Sequence, residues 1–230
     1  MTRWTSSVRI AAMAMFVSVL AHASHEAPSV TPDQALTKLK DGNRRYLFSK
    51  MSHPLDTEAR RIEVAQDQHP YAVILGCADS RVPPEIIFDT SLGELFDVRV
   101  AGNVTDDNIV GSIEYAVAHL GVPMIVVLGH ERCGAVQAAV AGVEAEGHIG
   151  ALVKCILPAV ESTQGLQGDA VDNAVRANVT LVVNQLRTST PILAEAVQAG
   201  KLKVLGARYD LDSGVVEFFP DPAAAASSGK

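Results

Sequence analysis

Short apolar runs alternate with stretches of helical spacing along this chain, and that alternation restricts its fold more than any other feature. Tyr71 to Leu75 is a run bounded by Pro70 and Gly76, and it reads as a buried strand. Leu95 to Val100 reads as a second strand, and Met124 to Leu128 as a strongly apolar third. Between and after them, Asn108 to Leu120 and Gly134 to Ala141 have helical spacing. A long helical section then runs from Ile149 to about Ala199, broken near Gly165–Gly168 and at Thr190-Pro191. Lys203 to Tyr209 and Val215 to Phe219 read as a hairpin-like strand pair around Asp212-Ser213-Gly214. Upstream, Thr31 is a candidate N-cap with Pro32 at the first helical position, Ala35, Leu36 and Leu39 form an apolar stripe, and a second helix is expected from Asp56 to Gln66. Strands buried on both faces and separated by helices imply an α/β fold, with a mostly parallel central sheet flanked by helices. An N-terminal helical arm precedes that sheet.

With 230 residues, the chain is long enough for one full core and short for two ordinary domains. The first residues form a separate element. Arg3 and Arg9 precede an uncharged stretch, Ile10 to Leu20, which closes in Ala21-His22-Ala23. A basic start, a short apolar middle and a small-residue end are the parts of a secretory signal peptide. The stretch falls short of the roughly 20 apolar residues that span a bilayer. The expected organisation is therefore a signal peptide over 1–23, a helical arm over 24–68, an α/β core over 69–220 and a flexible tail over 221–230. Export to the bacterial periplasm is expected, full secretion being the alternative, with no membrane attachment after cleavage. Losing two arginines and no acid takes the net charge from −7 to −9, which argues against a nucleic-acid partner.

Export makes the three cysteines, Cys77, Cys133 and Cys155, informative, because an odd number cannot all pair within one chain. In a parallel sheet, ligands bind beyond the carboxyl ends of the strands. Cys77 follows the first strand, and His130 and Cys133 follow the third, in LGHERCGA. Two thiols and an imidazole at one sheet edge suit zinc, which takes sulfur and nitrogen ligands as a tetrahedron. No fourth Cys or His sits beside the motif, so the last position falls to Asp79 or to water. Arg81, two residues on, can hold the Asp79 carboxylate bidentately and turn it from the metal. Zinc brings the pKa of bound water to about 7, and a carboxylate beside it can orient the resulting hydroxide. The remaining candidates read as structural. Cys155, within ALVKCILPAV, falls on an apolar helical face and is assigned to packing. His119 and His148 read as solvated or structural, Glu131 and Arg132 as exposed, Arg44, Arg45 and Tyr46 as a solvated or interface face, and Gly102-Asn103 as a tight turn.

Cys77-Ala78-Asp79-Ser80-Arg81, followed by His130-x-x-Cys133-Gly134, resembles the β-class carbonic anhydrases, as do RVAGNV (99–104) and GSIEYAV (111–117). The resemblance covers roughly residues 31 to 220. It implies a zinc enzyme that interconverts CO2 and bicarbonate through attack of zinc-bound hydroxide on CO2. It implies Cys77, His130 and Cys133 as ligands, Asp79 and Arg81 as catalytic residues, and Asp79 as a conditional fourth ligand in a closed state. It further implies a homodimer or homotetramer whose N-terminal helices wrap over a partner. The chain departs from the pattern at Phe88-Asp89-Thr90-Ser91, where many members carry a substrate-binding glutamine and this one has Thr90 and Ser91. Three other readings share these residues: a zinc hydrolase of carbon disulfide or carbonyl sulfide, a structural zinc site in a binding or sensing protein, and a thiol redox protein using Cys77 and Cys133.

Overall fold

A computed structural model describes residues 30–52, 57–142 and 145–221. The expected signal peptide and all but the first residue of the expected tail lie outside these. Helix α1 (Pro32–Leu47) opens on the anticipated cap. The Thr31 hydroxyl accepts the Gln34 N–H and the Gln34 side chain accepts the Thr31 N–H, with Pro32 at the first position. Such a reciprocal cap satisfies two otherwise orphaned donors, at about 1 kcal/mol for the hydroxyl alone. After α2 (Glu58–Val64) come β1 (Ala72–Gly76), α3 (Pro84–Ile87), β2 (Leu95–Arg99), α4 (Asp107–His119) and β3 (Met124–His130). The chain continues through α5 (Gly134–Ala141), α6 (Ile149–Ser162), α7 (Ala170–Thr188), α8 (Ile192–Gln198), β4 (Lys203–Tyr209) and β5 (Val216–Phe218). Single-turn α3 carries no periodicity to detect, and the sequence reading has no helix there.

The strands form one sheet in the order β2-β1-β3-β4-β5. The first four pair in parallel, and β5 folds back antiparallel on β4 as the expected hairpin-like pair. All of β1 and β3 is buried, because helices cover both faces. The period of two splits their residues between those faces. Ile74, Met124, Val126 and Leu128 pack with α1, α5 and α6, while Val73, Leu75, Ile125 and Val127 pack with α4, α7 and α8. No helix among the described residues is long and apolar enough to cross a membrane.

The described part of the N-terminal arm does not stand apart from the core. Ala35 and Leu39 of α1 are fully buried in it. Asn43 donates to the carbonyls of Ile87 and Gly214 and accepts from Val216 N–H. At Gly42 the helix lies so close to α3 that a Cβ would fall 1.8 Å from the Phe88 carbonyl oxygen.

Two expectations from sequence are corrected here. Arg45 is not on a merely solvated or interface face: its Nε donates to the buried carboxylate of Asp89 at 2.5 Å, and Tyr46 shares a hydrogen bond with Tyr209. Cys155 is exposed. The buried stripe of α6 is Val153, Ile156 and Ala159, and that three-residue phase turns position 155 outward.

Candidate metal centre

Because β1 and β3 are parallel neighbours, with Gly76 opposite Leu128, their carboxyl ends open side by side. Cys77 is the first residue beyond β1. His130 is the last residue of β3, since the strand runs two residues further than its apolar stretch indicates, and Cys133 caps the start of α5. All three side chains are buried, and their ligating atoms lie within 4.8 Å of one another. The two sulfurs stand 4.0 Å apart, about twice an S–S bond length. That spacing is close to the edge of a tetrahedron whose metal–sulfur distance is about 2.3 Å, roughly 3.8 Å.

The donor set also fits a metal chemically. His130 Nδ1 lies 2.8 Å from the Glu131 carbonyl oxygen, so it carries the proton and leaves Nε2 as a bare lone pair. That Nε2 is buried without a hydrogen-bond partner among the described residues, an expensive arrangement unless a ligand takes the lone pair. The Cys77 thiol is drawn down to about 4, chiefly by its hydrogen bond with Cys133, with burial opposing and the Gly102 N–H assisting. Cys133 is pushed up by the same bond and by burial, so the metal-free pair shares one proton. The first turn of α5 works the other way on Cys133, with the backbone of Ala135 and Val136 favouring the thiolate.

Asp79 and Arg81 stand beside this cluster in the relation the sequence suggested. Arg81 Nε donates to Asp79 Oδ1 at 3.0 Å and Nη2 to Oδ2 at 2.7 Å, while the Arg81 N–H adds a bond to Oδ1 at 2.9 Å. The Arg81 hydrogen bonds hold the carboxyl down to about 2. Asp79 Oδ2 lies 3.8 Å from His130 Nε2, facing the cluster without entering it.

Several supports were not visible in sequence. Arg99 braces the loop that carries both Cys77 and Asp79, donating to their carbonyls at 3.0 and 2.6 Å. Gly102 and Asn103 form the expected turn, with φ of 73° and 43°, and the Gly102 N–H donates to Cys77 Sγ at 3.3 Å. Arg132 is exposed as anticipated but makes a bidentate pair with Asp212. Glu131 is half-buried rather than exposed, its carboxylate accepting the Leu211 N–H. His119 and His148 are exposed. Thr90 and Ser91 are buried and line a separate cavity of about 690 Å³ with Glu85 and Asp97, one that none of the three clustered residues lines.

Comparison with known proteins agrees with this geometry. A family model described as carbonic anhydrase matches residues 72–216. Carbonic anhydrase 2 of Mycobacterium tuberculosis is 41% identical over 191 residues, 81% of this chain and 92% of that protein. The carbonic anhydrase of Mycolicibacterium smegmatis is 39% identical over 194 residues, 83% and 94% of the two chains. Among solved structures, the Coccomyxa β-carbonic anhydrase in complex with acetazolamide superposes with a TM-score of 0.66 at 29% identity, covering 84% of this chain and 91% of that one. A tetrameric β-carbonic anhydrase from Sordaria macrospora gives 0.66 at 26% identity, over 78% and 93%. By sequence and by fold, the chain belongs to the β-class carbonic anhydrase family.

Proposed function

We propose that the protein interconverts CO2 and bicarbonate at a zinc centre held by Cys77, His130 and Cys133, with Asp79 and Arg81 as its catalytic pair. The observation that carries this assignment is the buried, unpartnered His130 Nε2 grouped with two sulfurs, with a restrained carboxylate 3.8 Å away. Zinc, when bound there, supplies a Lewis acid that makes water a competent nucleophile near neutral pH. The protein does the rest by positioning. Cys77 and Cys133 give up their shared proton on loading. The Glu131 carbonyl fixes the His130 tautomer so that Nε2 faces the site. Arg81 keeps Asp79 ionised, and Asp79 accepts a hydrogen bond from the attacking water and orients it toward CO2. The proton released passes to buffer, and bicarbonate departs. Asp79 is also the group placed to close the fourth position when Arg81 releases it.

The same reading places the mature protein outside the cytoplasm, in the periplasm, supported by the leader-like residues 1–23. Its arm, core and tail are assigned to 24–68, 69–220 and 221–230. A homodimer or homotetramer is the proposed assembly, in keeping with the tetrameric Sordaria macrospora relative.

The test is stopped-flow CO2 hydration on zinc-checked protein from pH 7 to 9. Turnover should vanish on chelation and in Cys133→Ala, which loses zinc. Asp79→Asn should keep its zinc and slow by about 10²-fold or more, as expected on removing a group that acts on the reacting proton. Full activity in Asp79→Asn, or stoichiometric zinc in Cys133→Ala, would overturn the corresponding role.

A further inference from the structure

We infer that Asn178 is a positioning residue for the metal centre: it holds the Gly102 peptide so that the Gly102 N–H tempers Cys77 Sγ. The inference rests on Cys77 being a metal ligand, as proposed above.

Asn178 lies on α7, within its buried stripe of Val175, Val179, Val182 and Leu186. An apolar residue would suit that face. Asn178 is 1% exposed, and its Oδ1 has no hydrogen-bond partner among the described residues. Burying an amide that leaves one oxygen unmet costs stability, so packing alone does not favour Asn there. Among the described residues its Nδ2 has one partner, the Gly102 carbonyl, at 2.8 Å and 76 residues away in sequence.

Gly102 is the residue whose N–H reaches Cys77 Sγ. Its φ of 73° is in the left-handed region, and a Cβ would fall 2.7 Å from Ile156 Cδ1 and 3.2 Å from Ala135 Cβ. The Asn103 N–H closes the turn on the Val100 carbonyl at 2.9 Å. The turn is therefore pinned from α5 and α6 by contact and from α7 by one hydrogen bond. Removing that bond frees the Gly102 carbonyl to rotate, and its N–H leaves the sulfur. A thiolate without its donor is more electron-rich and less well oriented. Partners of this kind affect metal affinity by about 10- to 100-fold.

The experiment compares five variants of the whole protein with the wild type. Zinc affinity is read by chelator competition, and the sulfur-to-metal charge-transfer band after loading with Co(II). Asn178→Asp is isosteric and lacks the N–H; Asn178→Leu suits the apolar stripe and keeps the fold should a buried aspartate not. Both should bind zinc about 10-fold more weakly or worse, with the band moved to longer wavelength. Gly102→Ala should behave alike. Ile156→Val, which thins the packing over the same turn but keeps both hydrogen bonds, should lower Tm with affinity and band unchanged. Wild-type affinity and band in both Asn178 variants would overturn the inference, even if their Tm fell. Wild-type zinc binding in Cys77→Ala would instead overturn the ligand assignment beneath it.

Discussion

Arg45 is where a side chain assigned by sequence to the surface turns out to hold a buried charge, and replacing it by alanine measures how much. The Asp89 side chain is 0% exposed, and Asp89 itself sits at φ 43° just beyond α3. Arg45 reaches it from α1 with two donors, Nε to the carboxylate at 2.5 Å and Nη2 to the Asp89 carbonyl at 3.1 Å. Ser52 adds its N–H at 3.1 and 3.2 Å and its hydroxyl at 3.3 Å. Stripping one partner from a buried ion pair costs about 3–5 kcal/mol. The Ser52 bonds survive, and Arg45 is itself 40% exposed, so the lower end applies, about 3 kcal/mol. At about 2–4 °C per kcal/mol for a domain of this size, Arg45→Ala should lower Tm by about 6–12 °C. Arg45→Lys keeps the charge but loses the fork, and should fall between. Asp89→Asn removes the charge that needs a partner and suits the positive φ, so Arg45→Ala should cost little more in its presence. Thermal unfolding of the four proteins closes the cycle. A shift under about 2 °C for Arg45→Ala, or strict additivity with Asp89→Asn, would show an ordinary surface pair and refute the reasoning.

Two further predictions concern groups outside the metal site. Asp97 holds its proton up to about 8, because burial and then Glu85 oppose its ionisation. Between about pH 4 and 8 the folded protein therefore binds more protons here than the unfolded chain, so this group's contribution to stability falls as pH rises through that window. Tm should drop more steeply from pH 6 to 8 in the wild type than in Asp97→Asn, and parallel curves would remove Asp97 from the effect. Cys155 is exposed whereas Cys77 and Cys133 are buried, so an alkylating reagent should label one thiol per native zinc-loaded chain, at position 155, and three after denaturation with chelator. Native protection of Cys155 would place it under a neighbouring subunit instead.

What the sequence disclosed and what it withheld follow one physical division. The Cys77–His130–Cys133 cluster was legible because each member ends a strand, directly follows one, or opens the helix after it. Alternating apolar runs imply a parallel sheet, a parallel sheet puts its carboxyl ends on one side, and Cys77, His130 and Cys133 then meet without knowledge of any side-chain contact. Asp79 and Arg81 were legible because their pairing spans two residues. Cys155 was misread because the segment ALVKCILPAV is apolar on more than one face, and composition does not reveal which phase of α6 the core selects. The Arg45–Asp89 pair, 44 residues apart, and the Asn178–Gly102 bond, 76 apart, have no local signature beyond an out-of-character residue. Asn178 is such a residue, a carboxamide in a valine stripe, and so is Arg45, a cation that follows the buried Asn43 on a docked helix. Local order thus assembles the atoms able to ligate a metal, and the long-range Asn178–Gly102 bond is the one inferred above to set how Cys77 faces it. A substitution of the first kind should remove zinc outright. Loss of the Asn178 bond should leave zinc bound but less tightly, with the sulfur's electronic signature changed, and this is why affinity and spectrum, rather than activity alone, discriminate between the two.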